Sequence, residues 1–178
     1  MKNLNVFSFD AETNGLWGQA FAISAAVYNE GKMIAVFTGY LGPDGVTDAW
    51  VKDNVLPNLK GLKQTHASYD EMLKDFSCFY MEHKKDKDVI AHMGVPVEAK
   101  ILLDMHQKGF IGDWDGPYPF LDVASVLKAK GYDPSSVDSY NKEFGLMDDV
   151  PEAVGLSTHH PLYDSVAAAR AYLHLMNR

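Results

Sequence analysis

Asp10 and Glu12 lie two residues apart at the end of an apolar run, "VFSFDAETNGL", and His159 comes shortly before Asp164 in "STHHPLYDSVAAARAY". Residues two apart in a strand share a face. Val6, Ser8, Asp10 and Glu12 then point one way, and Phe7, Phe9 and Ala11 the other. A strand that buries two phenylalanines and then sets two acids side by side calls for a cation between them. Like charges at that distance repel, and desolvation raises the cost. Hard, oxygen-loving Mg²⁺ or Mn²⁺ suits such ligands. The chemistry such a site serves is cleavage of phosphodiesters, in which paired ions stabilise the attacking and leaving oxygens.

The elements that must position these residues are legible from periodicity and turn chemistry. Residues 4–10, 20–28 and 33–40 read as strands, the last two joined by a hairpin turn, "NEGK", at 29–32. A helix is expected over 47–56, ending at Pro57, and another over 69–84, where Tyr69, Met72, Leu73, Phe76, Phe79 and Tyr80 recur at helical spacing. A short strand at 87–92 precedes a helix opened by Gly94 and Pro96 and stopped by Gly109. A strand at 118–122 leads into a helix to Lys130; Ser135 or Ser136 caps the next, which ends near Gly145; Pro161 opens the last. A three-strand meander followed by strands alternating with helices predicts an α/β domain, one mixed sheet with helices on both faces. Ligands in such sheets gather at the carboxyl ends of the parallel strands.

The chain has 178 residues, which fits one domain over 1–178 with a sizeable core. The formal charge of −8 argues against strong non-specific binding to duplex DNA, which needs a basic face. It is compatible with a short or single-stranded nucleic-acid end, because bound cations would reverse the local sign. No run of about 20 apolar residues is present, so no membrane partner is expected. The N-terminal "MKNLNVFSFD" has no signal-peptide core, and a cytoplasmic location is expected. A homo-oligomer is compatible with the sequence. The lone Cys78 excludes an internal disulfide and reads as a half-buried helix residue.

Asp10, Glu12, Glu98, Asp122 and Asp164 all fall at strand ends or helix starts on the same expected edge of the sheet, with His159 beside them. Each also has a plainer reading. Glu98 fits a helix-capping position, Asp122 an N-cap, His160 a cap of the last helix, and His92 a packing or hydrogen-bonding role in the core. Their conjunction on one edge favours a site.

On these motifs the chain resembles DEDDh-type 3′–5′ exonucleases of the ribonuclease H-like superfamily. "FDAETNGL" resembles that family's Asp-x-Glu-Thr-x-Gly-Leu, and "HHPLYDSVAAARAY" its His-x4-Asp followed by an Ala-rich helix. "VIAHMGVPVEAKILL" resembles the second motif, with Glu98 standing where the family has Asp and Met93 where it has Asn. "FLDVASVLKAKGYDPSSVDSYNKEFGL" resembles the linking segment, and "WVKDNVLPNL" is similar to a small exoribonuclease subgroup. The resemblance covers nearly the whole chain. It implies a ribonuclease H-like mixed sheet of five strands, and two Mg²⁺ or Mn²⁺ ions held by Asp10, Glu12, Glu98 and Asp164. It implies that Asp10 contacts both ions, Asp164 the first, and Glu98 the second or its surroundings. Glu12 would also orient the attacking water, and His159 would take its proton as general base, a task suited to an unperturbed pKa of about 6.5. Thr13 and Leu16 match positions that contact the terminal nucleotide. The implied partner is the 3′ end of single-stranded RNA or DNA, and the implied product a nucleoside 5′-monophosphate. Asp122 is a further candidate acid. Two other functions stay open: a ribonuclease H-like nucleic-acid-binding or interaction module with weakened catalysis, and a metal-dependent phosphoesterase of small nucleotides.

Overall fold

A computed structural model of the chain describes residues 4–148 and 150–178. The first apolar run forms β1, Val6–Thr13. It pairs antiparallel with β2, Ala20–Asn29, which pairs antiparallel with β3, Lys32–Tyr40. The β2–β3 turn puts Glu30 and Gly31 at φ 50° and 76°, the geometry that matches the right-handed twist of a hairpin. On its other side β1 pairs in parallel with β4, Asp88–Ala91, and β4 pairs in parallel with β5, Phe120–Asp122. The strand order is β3-β2-β1-β4-β5, the expected five-stranded mixed sheet.

Alternation along β1 divides the core. Phe7, Phe9 and Ala11 pack with Met72, Leu73, Phe76 and Tyr80 of α2, Tyr69–His83, and with Ile101 and Met105 of α3, Val97–Gln107. Phe7 and Phe9 have no exposed surface, and each such burial contributes roughly 1.5–3 kcal/mol. Val6 faces the opposite side. There it joins α4, Val123–Ala129, α5, Val137–Phe144, and α6, Pro161–Asn177. Ala167, Ala168, Ala169 and Ala171 of α6 are buried, and such small side chains let the helix lie close over β1 and β2. Both faces are therefore covered, which is why β2 is buried from Ala20 to Tyr28.

Three details differ from the sequence expectation. β1 continues to Thr13, because Asp10 and Glu12 stay in register with Ser24 and Ala22 of β2. The helix expected over 47–56 is α1, Ala49–Asn54, followed by a 3-10 turn, Leu56–Leu59, whose first turn tolerates Pro57. Cys78 is exposed. It lies two residues past the buried Phe76, about 200° around α2, on the solvent side. No helix among the described residues is long and apolar enough to cross a membrane.

Candidate active site

The site forms where β1 stops being core. The β1–β2 register shifts between Glu12 and Thr13, a bulge of the kind that re-aims a strand end. The chain then turns tightly through Gly18, where a Cβ would sit 2.1 Å from the carbonyl oxygen of Asn14. Asn14 ties this turn to the segment before α1. Its side-chain oxygen accepts from the backbone N–H groups of Thr47 and Asp48, each at 2.9 Å, and its amide donates to Thr47 Oγ1 at 3.1 Å. Asp48 in turn caps α1 through Val51 N–H at 3.0 Å. The result sets Trp50 edge-on to His159, ring centres 5.6 Å apart.

Asp10, Glu12, Glu98, Asp164 and His159 line one cleft of about 300 Å³. Glu98 reaches it from the first turn of α3, is 3% exposed, and accepts the Ala11 N–H at 3.0 Å. That bond joins α3 to β1 beside Asp10 and Glu12. Asp164 sits in the first turn of α6 and accepts the His159 N–H at 2.8 Å. His159 adopts φ 68°, a left-handed conformation rare for residues with a Cβ. Its Nδ1 lies 3.9 Å from Glu12 Oε1, and one ligand atom each from Glu12, His159 and Asp164 fall within 4.8 Å of one another.

The electrostatics are those of acids crowded together out of water. Desolvation, then the charge of Glu98, pushes Asp10 well above the usual carboxylate range. Desolvation, then Asp10, Asp164 and Glu98, pushes Glu12 up to about 10. Glu98 rises to about 8, chiefly through burial, although its hydrogen bond from Ala11 opposes the shift. Asp164 is raised by burial and then by Asp10, with the His159 N–H opposing. Burial and mutual repulsion favour the protonated form of all four acids, and a divalent ion held among them would remove both the repulsion and the protons. An all-oxygen carboxylate set fits Mg²⁺ or Mn²⁺.

The other candidates have partners or pockets of their own, although Leu16 and His92 also line the cleft. Thr13 and Leu16 line an adjoining apolar pocket of about 370 Å³, with Trp50, Val51, Val55 and Val97, which shares Glu12 and His159 with the cleft. Asp122 caps α4 through Ala124 N–H at 2.9 Å, and the same oxygen accepts Met93 N–H at 3.0 Å. It caps α4 and is not among the residues that line the cleft. His160 also caps, accepting Leu162 N–H at Nδ1, and burial lowers its pKa. The His92 ring lies 2.9 Å from the Pro134 carbonyl, to which its Nε2–H donates. Asp104, the next acid along α3 after Glu98, is occupied by Tyr69 at 2.7 Å and Lys100 at 2.6 Å and lies outside the cleft lining. Sequence reasoning gave no role to Asn14, Trp50 or Asp138. Asn14 had a signal, a turn-forming residue next to Gly15. Trp50 and Asp138 had none that spacing reveals, since only the fold brings Asp138 to the cleft and Trp50 to the adjoining pocket beside the His159 ring.

No family model matches the chain, and no curated protein matches it. Among solved structures it is similar to exonuclease X in complex with 5′-overhanging duplex DNA. The TM-score is 0.62 and the identity 18%, over 97% of this chain and 91% of that one. That likeness, with the sheet order described above, shows that the fold is ribonuclease H-like, the fold of an exonuclease.

Proposed function

We propose that the protein is a metal-dependent 3′–5′ exonuclease that releases nucleoside 5′-monophosphates from single-stranded RNA or DNA ends. The observation that carries this reading is the convergence of Asp10, Glu12, Glu98 and Asp164 with His159 in one cleft of an exonuclease fold. The four carboxylates would hold two Mg²⁺ or Mn²⁺ ions, with Glu98 taking the part that an Asp has in the family resembled. The bound ions would neutralise the acids and stabilise charge on the attacking and leaving oxygens. Glu12 would orient the attacking water, and His159, beside Glu12, would accept its proton. Thr13 and Leu16 would contact the terminal nucleotide, with its base seated in the apolar pocket near Trp50. We further propose that the chain acts as a single exonuclease domain in the cytoplasm. Incubation of 5′-labelled and 3′-labelled single-stranded RNA and DNA with Mn²⁺ or with EDTA tests the activity. Stepwise shortening from the 3′ end that stops in EDTA is expected. A ladder that survives EDTA, shortening from the 5′ end, or an inert protein overturns it.

One observation favours a second reading, a phosphoesterase of small nucleotides. Among the described residues that line the cleft and the apolar pocket, none is Lys or Arg, so no side-chain cation is set there to hold a long phosphate backbone. Hydrolysis rate against chain length separates the two readings: an exonuclease gains or holds rate with length, and a phosphoesterase prefers the shortest substrate.

A further inference from the structure

His159 is held less by its own side chain than by the turn that carries it. Its side chain is 40% exposed, its ring meets Trp50 edge-on, and Glu12 lies 3.9 Å from Nδ1. The backbone must therefore decide where the imidazole sits, and at φ 68° that backbone is in a conformation that persists only when its surroundings hold it. Part of the hold is local. The His160 N–H donates to Ser157 at 3.0 Å, and the His159 N–H donates to Asp164 at 2.8 Å.

The rest comes from another helix. Asp138 stands in the first turn of α5, two residues after the N-cap Ser136, and lines the same cleft. One of its carboxylate oxygens accepts the Thr158 hydroxyl at 2.8 Å, and the other accepts the Tyr163 hydroxyl at 3.1 Å. Thr158 immediately precedes His159, and Tyr163 immediately precedes Asp164. The carboxylate thus grips the turn on both sides of the histidine and next to the acid that accepts its N–H. Hydrogen bonds from hydroxyls to a carboxylate are among the stronger ones. Both oxygens are engaged, which marks this acid as a clamp and not as a fifth free carboxylate of the cleft.

We infer that Asp138 is a positioning residue, which fixes His159 relative to Glu12 and Asp164 by clamping Thr158 and Tyr163. The consequence for turnover rests on the exonuclease reading above, in which His159 takes a proton. Asp138 acts through the turn, and its charge is a minor further contribution to the raised pKa of Asp164.

A double-mutant cycle tests this. Asp138→Ala should lower kcat at least tenfold with KM within about twofold. Thr158→Val combined with Tyr163→Phe should reproduce the loss while leaving Asp138 in place, which covers the case in which Asp138→Ala folds poorly. In a His159→Ala background, neither change should lower kcat further. Equal fractional losses in both backgrounds overturn the inference, because a general structural role would add and a role exerted through His159 would not. An activity-free arm keeps this apart from the proposed function. Imidazole NMR of the Asp138→Ala protein should show the His159 resonances shifted or broadened, with those of His92 and His174 unchanged. An unmoved His159 signal overturns the clamp whether or not the wild type is a nuclease. A wild type without nuclease activity but with a moved His159 signal overturns the exonuclease reading and leaves the clamp standing.

Discussion

The two faces of β1 are built on opposite principles. Phe7, Phe9 and Ala11 enter a packed apolar layer beneath α2 and α3, where every contact lowers the free energy of the fold. Asp10 and Glu12, on the other face, meet Asp164 and the end-on Glu98, where desolvation and mutual repulsion raise it. One strand thus contributes stability on one side and a strained cluster of acids on the other. The packing of the first side offsets the cost of the second, and the unfavourable charge of the second is what a bound cation would relieve.

The largest effects are expected at the acids. Asp10→Asn and Asp164→Asn should each abolish metal-dependent hydrolysis. Without metal, each should melt at or above the wild-type temperature, because a source of repulsion has gone. Hydrolysis assays and thermal melts in EDTA check both halves; a variant that keeps turnover removes its acid from the site. His159→Ala should lower activity by about 10²–10⁴-fold, the usual contribution of a positioned base. His160→Ala should mainly cost stability, about 1 kcal/mol for a lost helix cap, with activity nearly kept. The reverse pattern in steady-state rates would exchange the two assignments.

On the apolar face, Phe9→Ala should cost about 3–5 kcal/mol, the penalty of a large cavity among Phe76, Phe7 and Phe120. Where the variant remains folded at low temperature, its metal dependence should be unchanged. Denaturant titration measures the first and a Mn²⁺ activity curve the second. A variant of wild-type stability would mean that Phe9 does not anchor the strand.

The sharpest contrast of small size is in pH dependence. Glu98 moves from an ordinary 4.5 to about 8 in the fold, and Glu12 to about 10. A carboxyl raised by folding stabilises the fold when protonated, fully so below its ordinary value, and that contribution is lost as pH rises through the folded value. His160 and His174, both lowered from 6.5, have lost their protons in either state by about pH 7. Asp115 and Asp133, held low, matter only below about pH 4. Between pH 7 and 9 the metal-free protein should therefore lose stability, and Mn²⁺ should reverse the loss. Melts at the two pH values with EDTA or Mn²⁺ decide this; a metal-free melting temperature that rises over that range contradicts it.

The fold was largely legible in the sequence because its signals are local. Alternation marks β1, Glu30-Gly31 marks the hairpin, and the spacing of Met72, Leu73, Phe76 and Tyr80 marks α2. The continuation of β1 to Thr13 was not legible, since ladder partners on β2 extend it past the apolar run. Within the candidate site, Asp10, Glu12, Glu98, Asp164 and His159 could be expected to meet because each stands at a strand or helix end on one edge. Asp122 could not be separated from them by spacing. Only its two hydrogen bonds, to Met93 and Ala124, identify it as a cap. Asp138 reaches the cleft, and Trp50 the adjoining pocket, through tertiary packing, and nothing local to either announces it.

The proposed activity depends on a divalent-metal site held by Asp10, Glu12, Glu98 and Asp164. Diffraction from crystals grown with Mn²⁺ and a nucleoside 5′-monophosphate, collected for anomalous signal, tests it most directly. Anomalous peaks bounded by Asp10, Glu12, Glu98 and Asp164 are expected, with Glu98 in contact with an ion or with a water bound to one. Peaks absent from the cleft, or peaks beside Asp122 with Glu98 turned away, would contradict it.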